Sequence, residues 1–295
     1  MVRPRGALYL LPAQLNWALG CTSDQAMRAV TWNCRRATAE HELWTELRLL
    51  QADLLLLQEV GALPPEILND YEVLQGVPRT RSGGDQRFRT VLAVRGRLGP
   101  EIELRTGTAW IDELLDQFQG NLMGRRVTLA DGETLNALAV YSPAWPLARE
   151  TYAGVDVSEV KLPENPDIWV SDLVVAALRQ RPGLTTESWL VAGDFNACET
   201  FDSWRGGPRG NRRWLDRMAT LGLVDCLRLQ QGVLTPTFRK PGAAEAHCQI
   251  DYVFTSPVLW RRLSHCATGN RESVFGRGLS DHLPVVAEFR PEGAD

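Results

Sequence analysis

Four consecutive leucines, Leu54, Leu55, Leu56 and Leu57, stand between Asp53 and Gln58. A run this short and this uniformly apolar does not alternate, so it is not a strand with one wet face. It reads as a strand buried on both faces, which obliges the chain to supply a layer on either side of it. Trp189, Leu190, Val191 and Ala192 form a second such run, ending at Gly193. With 295 residues the chain is long enough to bury a large core without staples. Hydrophobic residues make up 44% and charged residues 23%. Both are close to globular averages and exclude disordered, collagen-like and coiled-coil chains. No apolar run approaches the roughly 18 residues of a membrane-spanning helix.

Other segments follow from local pattern. Ala29, Val30, Thr31 and Trp32 are β-branched or aromatic at three positions of four and read as a strand. Leu43, Trp44, Leu47 and Leu50 form a helical stripe. Strands are expected at 71–77 and 90–94 around the Gly83-Gly84 turn, and at 135–141, 249–254 and 284–289. Helices are expected around Trp169, Leu173 and Ala177, and around Trp214, Leu215, Met218 and Leu221. Residues 144–166 carry three prolines and read as an irregular surface excursion. Strands and a few helices alternate irregularly, which suits two packed sheets with helices outside better than a βαβ series. One domain is expected over 27–291, with residues 1–26 as an extension holding at most one loosely docked helix. Arg3 and Arg5 precede a short apolar stretch, but Pro12, Gln14 and Asn16 interrupt it, which argues against an export signal. The six cysteines form no CxxC pair and there are four histidines, which argues against a zinc cluster. A cytoplasmic, monomeric protein with reduced thiols is the expectation.

Polar clusters stand where apolar strands stop. Asn33 follows Val30-Thr31-Trp32, Gln58-Glu59 follows the four leucines, and Asp194-Phe195-Asn196 follows Gly193. Asp251 lies within Gln249-Ile250-Asp251-Tyr252, and Ser280-Asp281-His282 precedes Leu283-Pro284. A single acid after a strand is commonly a turn residue or helix cap. Five clusters at the edges of buried strands are different, because a charge there is costly unless paired or metal-bound.

Taken in order, Trp32-Asn33, Gln58-Glu59, Tyr141-Ser142-Pro143, Gly193-Asp194-Phe195-Asn196, Ile250-Asp251-Tyr252 and Ser280-Asp281-His282 resemble the endonuclease/exonuclease/phosphatase superfamily, the DNase I-like proteins. The resemblance spans about residues 27–289. It implies a four-layer αββα sandwich of two mixed sheets flanked by helices, and metal-dependent hydrolysis of a phosphate ester. Glu59 would be the principal ligand of Mg²⁺, or of Mn²⁺, aided by Asn33 and by Asp281. Asp194 would deprotonate the attacking water, with Asn196 holding Asp194 or a phosphate oxygen. His282 would donate to a non-bridging oxygen, with Asp251 fixing its tautomer. Tyr141 would contact the phosphate or act as an acid.

Two positions depart from common nuclease patterns. Arg35 stands where many members carry an acid, and Gly61 where abasic-site nucleases often carry Lys. Arg35 and Arg36 are candidates for phosphate contact. The net charge is −4, yet residues 79–97 hold six arginines against one acid and residues 201–217 hold five against two. Arg87 and Arg89 in the first segment, and Arg205 among Trp204 and Trp214 in the second, suggest contact with nucleic acid. A nuclease acting on DNA or RNA is therefore the first expectation. The alternative is a phosphoesterase for a small molecule or lipid headgroup, such as an inositol phosphate or a sphingolipid. A third is an inactive binding module on the same fold.

Overall fold

The computed structural model describes residues 26–240, 242–243 and 245–293. Apart from Ala26, the expected extension lies outside the described residues. Among the described residues, twelve strands form two six-stranded sheets. The first contains β1 (Met27–Ala37), β2 (Leu54–Val60), β3 (Glu72–Gly76), β4 (Arg89–Val94), β11 (Leu263–Thr268) and β12 (Val285–Phe289). Its order is β11-β12-β1-β2-β4-β3. The second contains β5 (Gly96–Glu101), β6 (Leu122–Leu129), β7 (Thr134–Tyr141), β8 (Trp189–Asp194), β9 (Val224–Asp225) and β10 (Asp251–Thr255), in the order β5-β6-β7-β8-β10-β9. Both sheets are mixed. Only the central pairs, β1 with β2 and β7 with β8, are parallel.

The leucine run behaves as its composition requires. Leu54 and Leu56 face the second sheet, packing with Ala137, Leu190 and Val253 between the two. Leu55 and Leu57 face outward under α1 (Leu43–Leu49) and α2 (Pro65–Asp70). The outer face of the second sheet is covered by α3 (Ala109–Gln117), α4 (Val170–Arg179) and α5 (Asn211–Thr220). Together these give the four expected layers. Short helices α6 (Cys226–Gln231) and α7 (Pro257–Trp260) complete the set. No helix among the described residues is long and apolar enough to cross a membrane. The five described cysteines are free and buried.

Three readings from the sequence need correction. Helices are more numerous than expected, and the span 96–129 holds β5, α3 and β6 where no element was foreseen. The 144–166 excursion is not merely superficial: Leu147, Val160 and Leu162 are buried in the core beside α4 and α5. Trp214 is also core, 1% exposed, with its indole N–H donated to Ser171 O. Its place in a basic, aromatic surface track is therefore ruled out.

Candidate active site

At one end of the sandwich the parallel central strands of both sheets stop together, and their backbones bend sharply. The pairing of β1 with β2 breaks register between Asn33 and Ala37. There Arg35, Arg36 and Glu59 take φ of 46°, 62° and 50°, and Asn196 after β8 takes 47°. Non-glycine residues seldom occupy this left-handed region, and holding one there costs about 1–3 kcal/mol. Four of the five such residues described cluster at this end. The bend also explains the glycine at 61. A Cβ there would lie 2.6 Å from Arg36 O and 2.7 Å from Ala37 O.

In the second sheet the register aligns the chemistry. Tyr141 pairs with Asp194, and Asp194 with Asp251, so all three stand in one row across β7, β8 and β10. Gly193 makes the tight approach of β8 to β7 possible, because a Cβ there would sit 1.8 Å from Val140 O. Asn33 reaches across from the first sheet, donating from Nδ2 to Asp194 Oδ2 at 3.0 Å. Its Oδ1 accepts from Arg35 N–H. The Asn196 N–H donates to Asp194 Oδ1 at 3.0 Å, while the Asn196 side chain donates to Ser142 O. Asn196 therefore holds Asp194 through its main chain.

His282 Nδ1–H donates to Asp251 Oδ2 at 2.9 Å and Oδ1 at 3.1 Å. This leaves Nε2 as the free ring nitrogen. Polar atoms of Asp194, Asp251 and His282 lie within 4.8 Å of one another. Ser280 Oγ donates to Asn33 O and accepts from His282 N–H, tying the segment 280–282 to β1. Tyr141 Oη donates to Glu59 Oε1 at 3.2 Å, so the two sheets also meet there. Asp281 is partly exposed, 3.8 Å from Arg35 Nε.

The surroundings set the charge states. Burial pushes the Asp194 carboxyl up to about 7, opposed by His282 and assisted by Asp251. Burial alone would lower His282, but the carboxylates of Asp251 and Asp194 raise it to about 10. Burial and the neighbouring Glu59 and Asp194 charges push Tyr141 up, so its hydroxyl stays protonated. The site thus offers a buried carboxylate near neutrality, a charged imidazole and a hydroxyl donor around one opening.

Glu59 and Asp281 are carboxylates and Asn33 an amide, the class of hard oxygen donor that Mg²⁺ takes. Besides the Tyr141 hydroxyl, Glu59 has among the described residues only the Arg36 guanidinium, at 3.9 Å from Oε2. Its carboxylate is therefore open to a cation. Asp251 and His282 are instead committed to each other, and Asp194 accepts from Asn33 and the Asn196 N–H.

Four of the predicted arginines, Arg35, Arg36, Arg87 and Arg89, border this opening. Arg35 and Arg36 lie beside Asp281 and Glu59. Arg87 and Arg89 flank the buried Phe88, whose ring meets Tyr141 edge-on at 5.4 Å. Arg89 donates to Phe88 O, whereas exposed Arg87 and Arg205 have no ion pair among the described residues. The basic segments are thinner than their counts imply. Arg79, Arg95, Arg212 and Arg213 pair with Asp85, Asp70, Glu199 and Glu164 respectively. Arg217 donates to the main-chain oxygens of Val160 and Lys161.

Sequence reasoning missed two site residues. Thr237, fully buried, donates from Oγ1 to Asp251 Oδ2 at 2.6 Å and accepts from Ile250 and Asp251 N–H. The Phe238 ring lies 4.8 Å from the His282 ring. Neither sits in a periodic segment, so no local signal marked them.

The endonuclease/exonuclease/phosphatase family model matches residues 30–282. A search of curated protein sequences finds no match. Among solved structures, an AP endonuclease from Archaeoglobus fulgidus is similar with a TM-score of 0.64 at 18% identity, over 89% of this chain and 99% of that one. A 3′ phosphatase, NExo, from Neisseria, bound to product DNA hairpin, gives 0.62 at 19% identity, over 90% and 99%. The Xenopus laevis APE2 catalytic domain gives 0.60 at 18% identity, over 91% and 94%. At these identities the likeness speaks for the fold. The family match over most of the chain supplies the assignment: the chain is a phosphoric ester hydrolase and belongs to the endonuclease/exonuclease/phosphatase family.

Proposed function

We propose that this chain is a Mg²⁺-dependent nuclease that hydrolyses phosphodiesters of DNA or RNA. The observation that carries the reading is the buried Asp194, raised to about 7 and in register beside the Asp251–His282 pair. Its carboxylate takes a proton from a water aligned with phosphorus, a role suited to a pKa near working pH. Asn33 and the Asn196 N–H keep both Asp194 oxygens oriented. His282, charged and held by Asp251, directs Nε2–H at a non-bridging oxygen as negative charge grows there. Tyr141 presents a hydroxyl beside Glu59 for a phosphate oxygen or the leaving oxygen. Glu59, with Asn33 and Asp281, would hold the cation, which would supply charge to neutralise phosphate oxygens and stabilise the leaving group. Mn²⁺ fits the same donors.

Nucleic acid as substrate is supported by exposed Arg87, next to Phe88 beside Tyr141 and without an ion pair among the described residues, and by the similarity to an AP endonuclease and to a 3′ phosphatase bound to product DNA hairpin. Cleavage should then fall steeply with added salt, because phosphate contacts release counterions. End-labelled single- and double-stranded oligonucleotides incubated with Mg²⁺ over a salt series test this. Salt-independent cleavage would remove the arginines from the reading. Turnover of soluble monoesters without oligonucleotide cleavage would instead favour the small-molecule phosphoesterase.

A further inference from the structure

The loop that follows Asn196 ends in an exposed tryptophan that the site chemistry leaves unused. Trp204 is 44% exposed, one of few large apolar side chains presented to solvent. It is not on a slack loop. Asp202 accepts from the N–H and side chain of Asn211 and from the N–H of Arg212, each at 2.9 Å. Asn211 in turn donates to Pro208 O and accepts from Cys198 N–H, closing the loop at both ends. Trp204 N–H donates to Phe201 O, and the two rings lie 4.7 Å apart. Gly207 folds back beneath: a Cβ there would meet Phe201 O at 2.9 Å and Trp204 Cβ at 3.1 Å.

Phe201 links this fixed ring toward the reacting centre, and Arg205 and Arg209 follow it in the same loop. Phe201 and Phe238 pack on the same small cluster of Cys198, Cys248 and Ile250, and Phe238 lies against His282. Exposed Arg205 and Arg209 have no ion pair among the described residues. Arg209 lines one crevice with Asn196. An exposed aromatic ring followed by two exposed arginines without ion pairs among the described residues, on the loop that leaves Asp194 and Asn196, has the chemistry of a base-stacking platform with a backbone clamp.

We propose that Trp204 stacks an unpaired nucleobase of the substrate strand while Arg205 and Arg209 hold its flanking phosphates, so that the enzyme binds single-stranded nucleic acid. The inference rests on the nuclease reading for its place in function, but its test does not require turnover. Binding of fluorescein-labelled oligothymidylate is measured by anisotropy in EDTA, for the full chain and for Trp204→Ala and Trp204→Phe. The alanine variant should weaken binding roughly 5- to 100-fold, and the phenylalanine variant by no more than about threefold. An oligomer of abasic residues, with phosphates but no bases, should bind wild type and Trp204→Ala equally. Equal oligothymidylate affinity of wild type and Trp204→Ala would overturn the platform. So would an equal loss on the abasic oligomer, or no binding by wild type. Binding through Trp204 without any cleavage in Mg²⁺ would overturn the nuclease reading and leave the platform standing.

Discussion

Asp194 and His282 hold opposite charges over one pH interval, from about 7 to about 10. In the proposed mechanism, Asp194 below it carries a proton that prevents it from acting as the base, and His282 above it lacks the proton it would donate. A bell-shaped profile of kcat/KM follows, rising through pH about 7 and falling through about 10. Rates of oligonucleotide cleavage between pH 5 and 11 check it, and His282→Gln should lose the alkaline limb along with most of the activity. Glu59→Gln keeps an oxygen donor but removes its charge, so it should lower activity about tenfold or more at limiting Mg²⁺ and recover in part at high Mg²⁺. A magnesium titration of both proteins reads this out. At this scale the sequence displayed Asn33, Glu59, Asp194, Asp251 and His282 because each follows or interrupts an apolar run. Thr237 stayed hidden, since its partner Asp251 is 14 residues away and only folding brings them to 2.6 Å.

The elements place these residues by departing from regularity. The register break between β1 and β2 turns Asn33 and Glu59 toward the second sheet, and the close contact of β7 with β8 brings Tyr141 and Asp194 level. Gly193→Ala should therefore destabilise the fold by about 3 kcal/mol or more, since its Cβ would collide with Val140 O. Denaturant melts against wild type would detect this; an unchanged midpoint would mean that β8 can move away. Strands buried on both faces were legible from their unbroken apolar runs. β5 was not, because Gly96, Gly99 and Pro100 resemble a turn; as an edge strand it tolerates them. β6 carries Gly124, Arg125 and Arg126 within it, which masked its buried face. α3 did carry a signal, Ile111, Leu114 and Leu115 at helical spacing, and all three are buried.

The whole molecule brings together two sheets of similar order, each with its parallel pair at the centre, so that the ends of those pairs face one another. One sheet contributes Asn33 and Glu59, the other Tyr141, Asp194 and Asp251, and the segment before β12 closes the site with His282. The layered architecture could be inferred from the leucine run and the order of motifs. Which arginines remain free could not, because their partners, such as Glu199 for Arg212 and Glu164 for Arg213, are set by tertiary packing.

In the proposed function Asp194 drives hydrolysis of a nucleic-acid phosphodiester. End-labelled single- and double-stranded DNA and RNA, incubated with Mg²⁺ and wild-type or identically purified Asp194→Ala protein, test it most directly. Cleavage by wild type, reduced by a factor of roughly 10²–10⁴ in a variant with unchanged circular dichroism, is the predicted result. Equal cleavage by both proteins, or none by wild type, would contradict it.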